Sequence, residues 1–166
     1  MRHLSIYAIL LCLGMFVSSA PAQQDPNDSA VASCTFADDH EISLRYNPAA
    51  SKEEMPPNTP WGPGGSPMYL FTQSAVTIGK SDLGPGAYSV YLIGGKKPWT
   101  LIINKDVTIG AKYDESKDIV RVPMESGQLS VPVKQLKPSF VHAEPKLCNL
   151  RLYYGNTGAW AEFREK

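Results

Sequence analysis

Histidine, cysteine and clustered charge are scarce in this sequence, and each scarcity narrows the possible functions. Only three histidines and three cysteines occur among 166 residues. Lysine plus arginine equals aspartate plus glutamate at 16 each, and no run of like charge is longer than a pair. Nucleic acids and anionic lipid surfaces attract proteins through basic patches. We therefore predict no nucleic-acid partner.

Motifs for catalysis and metal binding are missing as well. The sequence contains no Gly-x-Ser-x-Gly nucleophile elbow and no twelve-position calcium loop with a central glycine. Two acidic clusters come nearest to a metal site, residues 38–41 (Asp-Asp-His-Glu) and 114–118 (Asp-Glu-Ser-Lys-Asp). We interpret both as polar turns, because adjacent strand residues point to opposite faces and because Asp and Ser favour local hydrogen bonds. The sequence thus predicts no metal, no cofactor and no catalytic residue.

The N-terminus has the features of a cleavable secretory signal. Arg2 precedes an apolar stretch at residues 4–17, and Ala20 and Ala22 have the A-x-A spacing of a cleavage site. The apolar stretch is short for a membrane span, which needs about 20 residues. We predict a signal peptide at residues 1–22, a flexible leader at 23–33 and one β domain at 34–166. The mature protein would be periplasmic or secreted, with no membrane span after signal cleavage.

Cleavage would remove Cys12 and leave two cysteines, Cys34 and Cys148. An even pair in an exported chain usually forms a disulfide, and two separate buried thiols are the alternative. A bridge between these residues would join the beginning of the domain to its end. The first and last ordered strands are therefore expected to lie side by side or to face each other.

Most of the chain after residue 34 has the pattern of short strands. Residues 41–46 and 87–93 alternate between apolar and polar side chains, and residues 147–154 and 159–163 indicate two more strands with a turn at 155–158. No window of a dozen residues has helical spacing. We predict an all-β fold, an antiparallel β-sandwich of jelly-roll-like type, with a β-barrel as the alternative.

Residues 48–67 differ from the rest because they include six prolines and three glycines. Long loops of this kind in compact domains are commonly functional. Trp61 lies in this loop, and Tyr91 lies on the more polar side of its strand. Aromatic rings at a surface bind sugars by stacking, so Trp61 and Tyr91 are candidate ligand-binding residues. The alternative is that these rings pack in the core.

Several sequence blocks occur in an order that is characteristic of one family. They are Cys34 before the first strand, Trp61 with Gly64, residues 76–79, 83–91, 99–105 and 113–122, and Cys148 at the start of the closing block. These blocks resemble the bacterial family known as domain of unknown function 2911. The resemblance implies an exported protein with a β-rich fold, and it implies no activity.

The chain departs from the family pattern at one block. Where that pattern is similar to Trp-Arg-Thr-Gly-Ala-Asn-Glu-Ala-Thr, residues 61–69 here are Trp-Gly-Pro-Gly-Gly-Ser-Pro-Met-Tyr. The arginine, asparagine and glutamate of the pattern are missing. Any site that this polar block forms in relatives is therefore lost or altered here.

Together these observations predict a non-catalytic binding or interaction module whose partner is a glycan, an envelope component or another protein. A hydrolase-type enzyme with an unrecognised site and a structural accessory protein of the envelope are the alternatives. An exposed aromatic patch would favour binding. A pocket that joins His40 or His142 to carboxylates with shifted pKa values would favour an enzyme.

Overall fold

Ten β-strands make up most of the part of the chain that the structure describes. The computed structural model describes residues 29–48, 55–95 and 98–166. The strands are β1 (Ala30–Thr35), β2 (Glu41–Tyr46), β3 (Met68–Thr72), β4 (Val76–Ile78), β5 (Ser81–Leu83), β6 (Gly86–Ile93), β7 (Thr100–Asn104), β8 (Asp118–Pro123), β9 (Glu125–Glu144) and β10 (Leu147–Glu165). Short 3-10 helices occur at Pro63–Gly65 and Glu115–Lys117. No helix within these described ranges has the length and hydrophobicity that a membrane crossing requires.

The strands form two antiparallel sheets. The larger sheet has six strands in the order β1-β2-β3-β6-β7-β8, and the smaller has four in the order β5-β4-β10-β9. Within the described residues the two sheets do not close into a barrel. The predicted all-β antiparallel sandwich is therefore confirmed.

The core lies between the two sheets and follows from strand alternation. Ile42 and Leu44 of β2 and Leu70 of β3 are fully buried, and so are Leu150 and Leu152 of β10. Successive side chains of a strand point to opposite faces, so these alternating apolar positions line the inner face of each sheet. Burial of a side chain of this size stabilises the fold by about 1.5–3 kcal/mol relative to exposure.

A disulfide links the two sheets. Cys34 in β1 is bonded to Cys148 in β10, with 6.2 Å between their Cα atoms and 114 positions between them in the sequence. The predicted pairing of these two cysteines is confirmed. The bridge fixes the first strand of the domain against its last strand.

Strand β1 begins before the predicted domain boundary at Cys34. Ala30 is paired with Tyr46, and the pairing continues without interruption to Thr35 and Glu41. Residues 30–33 therefore belong to the sheet and not to the predicted flexible leader. The side chains of residues 30–33 are mostly small, so the sequence here has only a weak hydrophobic pattern. This edge strand is held more by backbone pairing than by burial. The predicted signal peptide and residues 23–28 lie outside the described residues.

Strand β10 is longer than predicted because the expected turn at residues 155–158 is a β-bulge. The pairing with β9 shifts register between Tyr153 and Gly155 and again between Gly155 and Thr157. Gly155 has a φ of 56°, in the left-handed region where glycine is favoured. The strand therefore continues through the bulge, but the side chains that point to the core change from even to odd positions.

Candidate functional site

The two aromatic residues predicted to bind a ligand border the same cavity. Trp61 and Tyr91 line a depression of about 380 Å³ together with Tyr113, Pro67 and Lys112. Trp61 comes from the Pro/Gly-rich loop, and Tyr91 comes from β6. The structure therefore brings together two residues that are 30 positions apart in sequence (91 − 61). Their role in ligand binding stays a prediction.

Trp61 is a core residue and not an open stacking platform. Its side chain is only 6% exposed, and its ring centroid lies 5.7 Å from that of Tyr154. Its backbone N–H donates to the carbonyl of Leu92 at 2.7 Å and its carbonyl accepts from Leu92 at 3.0 Å. These bonds attach this part of the loop to the end of β6. The indole ring thus stabilises the fold, and only its border contributes to the cavity.

Tyr91 is also largely covered. Its ring is 9% exposed and makes an edge-to-face contact with Tyr113 at a centroid distance of 4.9 Å. Burial raises the pKa of Tyr91, so the phenol is neutral across the physiological range. Tyr91 lies on the outer face of the larger sheet, and the loop after β7 covers that face with Tyr113.

Asp114 and Asp118, which were candidate calcium ligands in the sequence, belong to a hydrogen-bonded network under this loop. Asn104 donates from Nδ2 to Asp118 Oδ1 at 2.8 Å, and the Tyr113 hydroxyl donates to Asp118 Oδ2 at 2.6 Å. Arg121 pairs with Asp118 at 3.1 Å. The backbone N–H and hydroxyl of Ser116 donate to Asp114, which lowers the pKa of Asp114. These carboxylates act in a hydrogen-bonded turn, as the sequence interpretation expected.

A second aromatic site lies on the outer face of the smaller sheet, and the sequence analysis missed it. Tyr153 and Trp160 of β10 border a groove of about 370 Å³ whose polar lining includes Asn149, Arg151 and Gln128. Because Cys148 and Leu150 before the bulge and Ala159 and Ala161 after it point into the core, Tyr153 and Trp160 both point outward. Without the bulge, the odd-numbered Tyr153 and the even-numbered Trp160 would lie on opposite faces of the sheet.

Two glycines form the floor between these rings. Gly158 of β10 is paired directly with Gly127 of β9. A Cβ atom at Gly158 would approach the Tyr153 ring to 3.2 Å, and one at Gly127 would approach the Trp160 ring to 3.4 Å. Each ring thus lies over a backbone that has no side chain. A side chain at either glycine would crowd one of the rings, so the glycines allow Tyr153 and Trp160 to lie close to the sheet.

The polar groups of the groove are fixed by contacts of their own. The indole N–H of Trp160 donates to Glu125 Oε2 at 2.6 Å, and Arg151 Nε donates to Asn149 Oδ1 at 3.4 Å. Asn149 is 8% exposed, and Trp160, Tyr153 and Arg151 are half-buried. The arrangement offers guanidinium and amide donors beside two fixed aromatic rings.

Trp160 also borders a second depression. On its other side a cavity of about 320 Å³ is lined by Glu125, Glu162, Arg164 and Thr77. Trp160 is the lining residue that the two depressions share. A ligand that contacts both depressions would therefore have to extend past the indole.

The comparisons with known proteins give a family and no characterised relative. A family model described as "Protein of unknown function (DUF2911)" matches residues 29–163. The match confirms the family resemblance that the ordered sequence blocks indicate. No curated protein and no solved structure matches the chain.

Proposed function

We propose that this chain, which belongs to the family described as a protein of unknown function (DUF2911), is a non-catalytic module that binds a glycan chain. The observation that carries the proposal is the groove in which Tyr153 and Trp160 lie beside Arg151 and Asn149. Sugar rings present apolar C–H faces and peripheral hydroxyls. Aromatic rings bind the faces, and guanidinium and amide groups hydrogen-bond the hydroxyls.

The two depressions that share Trp160 support a polymer as the ligand. One depression lies on each side of Trp160, so successive sugar units would contact the indole and then one depression or the other. The groove is shallow and open along β9 and β10, which suits a chain that continues beyond the protein. A glycan polymer of the cell envelope would present such a chain.

The aspartates near Tyr113 do not have the pKa that a glycosidase acid requires. A glycosidase needs two carboxyl groups on either side of the scissile bond, one of them with a raised pKa. Of the carboxylates that border the two depressions, Glu125 accepts the indole hydrogen bond of Trp160. The aspartates with shifted pKa values near Tyr113, including Asp106 and Asp114, have pKa values lowered by hydrogen bonds from Lys117 and Ser116. A lowered pKa is the opposite of what a general acid needs.

We also propose that the protein acts outside the cytoplasm, in the periplasm or beyond the cell. The Cys34–Cys148 disulfide supports this location, because structural disulfides persist mainly in oxidising compartments. An exported protein would meet envelope glycans directly.

The proposal is tested by thermal-shift and calorimetric titration with chitohexaose, cellohexaose and purified peptidoglycan sacculi. A ligand at about 100 times its Kd adds roughly 2.7 kcal/mol of stability, which shifts the Tm of a domain of this size by several degrees. We expect Tyr153→Ala and Trp160→Ala each to raise the Kd at least tenfold, which corresponds to about 1.4 kcal/mol. Phe71→Ala is the matched control, because Phe71 is an aromatic residue 39% exposed on the other sheet.

Other results would redirect the assignment. Loss of affinity in Tyr91→Phe or Trp61→Phe, with the groove variants unaffected, would move the ligand to the cavity beside Tyr113. New reducing ends in the titration mixture would indicate the hydrolase alternative. If no glycan shifts the Tm, the binding proposal fails and a structural role in the envelope gains weight.

A further inference from the structure

Three side chains that commonly bind metals meet at one end of the sandwich. Asp38 and His40 belong to the turn between β1 and β2, and Glu165 is the last residue of β10. One ligand atom from each lies within 4.8 Å of the other two. His40 Nδ1 is 2.8 Å from Asp38 Oδ2 and 3.6 Å from Glu165 Oε1. The turn brings Asp38 and His40 together, and the backbone N–H of His40 also donates to Asp38 Oδ1 at 3.2 Å.

The backbone around these residues is fixed. Phe36 donates its N–H to the carbonyl of His40 at 2.8 Å, and Ala37 donates to Pro145 in the turn between β9 and β10 at 2.9 Å. Glu165 donates its own N–H to Lys146 of that same turn at 2.8 Å. The β1–β2 turn and the end of β10 are thus both attached to one turn, which holds the three side chains together without a loop rearrangement.

Glu165 is the unusual member of the cluster. Its side chain is only 4% exposed and faces His40. Its Oε1 atom is buried and has no hydrogen-bond partner among the described residues. A buried carboxylate without a partner is costly, and buried charges in proteins are normally paired or bound to a metal. Glu165 Oε1 is in a long ion-pair contact with His40 at 3.6 Å, and a cation bound between the two side chains would compensate the buried charge more fully.

A protonated His40 would meet this need only in part. Its Nδ1 is within hydrogen-bond distance of Asp38, and the 3.6 Å to Glu165 Oε1 exceeds a hydrogen bond. In a tetrahedral zinc site with bonds of about 2.0–2.1 Å, two ligand atoms are about 3.4 Å apart. The two separations that involve His40, 2.8 and 3.6 Å, lie on either side of that value, and the third, between Asp38 and Glu165, is within 4.8 Å, so side-chain rotations are needed to complete the site.

The Asp38 carboxylate is suited to this role. Asp38 and His40 are about half exposed, at 51% and 50%, so an ion reaches the cluster from solvent. Glu165 closes the cluster from the protein side.

We propose that Asp38, His40 and Glu165 bind one divalent transition-metal ion, with Zn²⁺ as the best match. One imidazole nitrogen and two carboxylate oxygens form a three-ligand set that leaves a fourth position for water or for a group from a partner. Calcium needs six to eight oxygen ligands and is disfavoured. The bound ion would join the β1–β2 turn to the end of β10, close to the disulfide.

The test is isothermal titration of the chelator-treated full chain with ZnCl₂, and with CaCl₂ for comparison. We expect one Zn²⁺ per chain and no binding of Ca²⁺ in the same range. Glu165→Gln and His40→Ala should each weaken Zn²⁺ binding at least tenfold. His142→Ala is the matched control, because it removes the other histidine of the described residues and should leave the affinity unchanged.

Asp38→Asn distinguishes the loss of a metal ligand from the loss of the fold, because this exposed position can change without disturbing the core. It should also weaken Zn²⁺ binding at least tenfold while the circular dichroism spectrum stays that of the parent. Absence of Zn²⁺ binding to the parent chain overturns the proposal. Equal affinity in the parent and in Asp38→Asn and Glu165→Gln overturns it as well, and would leave an ion pair between His40 and Glu165.

Discussion

Tyr113 shows how a single residue connects a loop to a sheet. Its ring packs edge-on against Tyr91, and its hydroxyl donates to Asp118 and accepts from Arg121. Burial and the hydrogen bond to Asp118 raise the pKa of Tyr113 to about 12. The neutral phenol is therefore the form that the fold stabilises.

This raised pKa predicts a loss of stability in alkali. The folded pKa of about 12 exceeds the ordinary value of 10.0, so the stabilisation is complete below pH 10 and declines as the pH rises through 12. Urea unfolding at pH 8 and pH 11 should show a larger decline for the parent than for Tyr113→Phe. At pH 8 the variant should be less stable by roughly 1–3 kcal/mol, because it loses the hydrogen bond to Asp118 and the one from Arg121. Parallel pH profiles for the two proteins would contradict the assignment.

Sequence patterns identified some residues well and others poorly. The Cys34–Cys148 pair followed from counting the cysteines that remain after export. The sequence left both an exposed and a buried Trp61 open, because its proline and glycine neighbours suggested an exposed loop, whereas its backbone pairing with Leu92 accompanies its burial in the core. Trp160 was not predicted as a site residue. The switch from even-numbered to odd-numbered inward positions at Gly155 cannot be seen in the alternation of apolar and polar residues.

At the scale of the strand, the bulge at Gly155 determines which side chains reach the groove. Before the bulge the even-numbered residues of β10 point to the core, and after it the odd-numbered residues do. Tyr153 and Trp160 therefore share the outer face. A Cβ atom at Gly155 would meet no other atom within 4 Å, so the constraint there is the backbone conformation alone.

Substitutions at Gly155 should therefore reveal backbone strain without steric conflict. Gly155→Ala should lower the free energy of unfolding by about 1 kcal/mol, because an L-residue other than Asn or Asp is strained at positive φ. Gly155→Asn should cost less, since asparagine adopts this conformation more readily. Chemical denaturation of both variants beside the parent measures the difference. Equal stability of Gly155→Ala and the parent would show that the bulge does not need a left-handed residue.

Short alternating strands were predicted well, whereas the long strand β10 was predicted as two separate strands. The alternation at residues 41–46 and 87–93 corresponds closely to β2 and β6. Strand β10 was predicted as two strands because glycines and polar residues at 155–158 have the composition of a turn. Whether such a segment turns or bulges depends on the partner strand, which local sequence does not contain.

At the scale of the molecule, the disulfide joins the two sheets across most of the chain. It closes a loop of 114 positions, and a constraint of that length acts mainly on the unfolded ensemble. Sequence order alone does not reveal the arrangement of the sheets. It also does not reveal that Glu165 lies beside Asp38 and His40, because these residues come from opposite ends of the domain.

The disulfide and the predicted export can be measured together. The exported protein should have the mass of a chain that begins at Gln23 and lacks two hydrogens. Reduction should then lower the free energy of unfolding by about 2–4 kcal/mol. Cys34→Ala/Cys148→Ala should reproduce the loss and be insensitive to reductant. Retention of Met1 would contradict signal cleavage, and two alkylatable thiols before reduction would contradict the bridge.

The length of β9 has a consequence for self-association. It is the outermost strand of the smaller sheet, and its 20 residues include the exposed Val131. A long strand edge is a template on which identical chains can assemble into fibrils. Pro132 and Pro138 have no N–H to offer such a chain, and Lys134 and Lys137 would lose hydration on contact. The composition of β9 thus opposes amyloid-like growth, while its other edge is paired with β10.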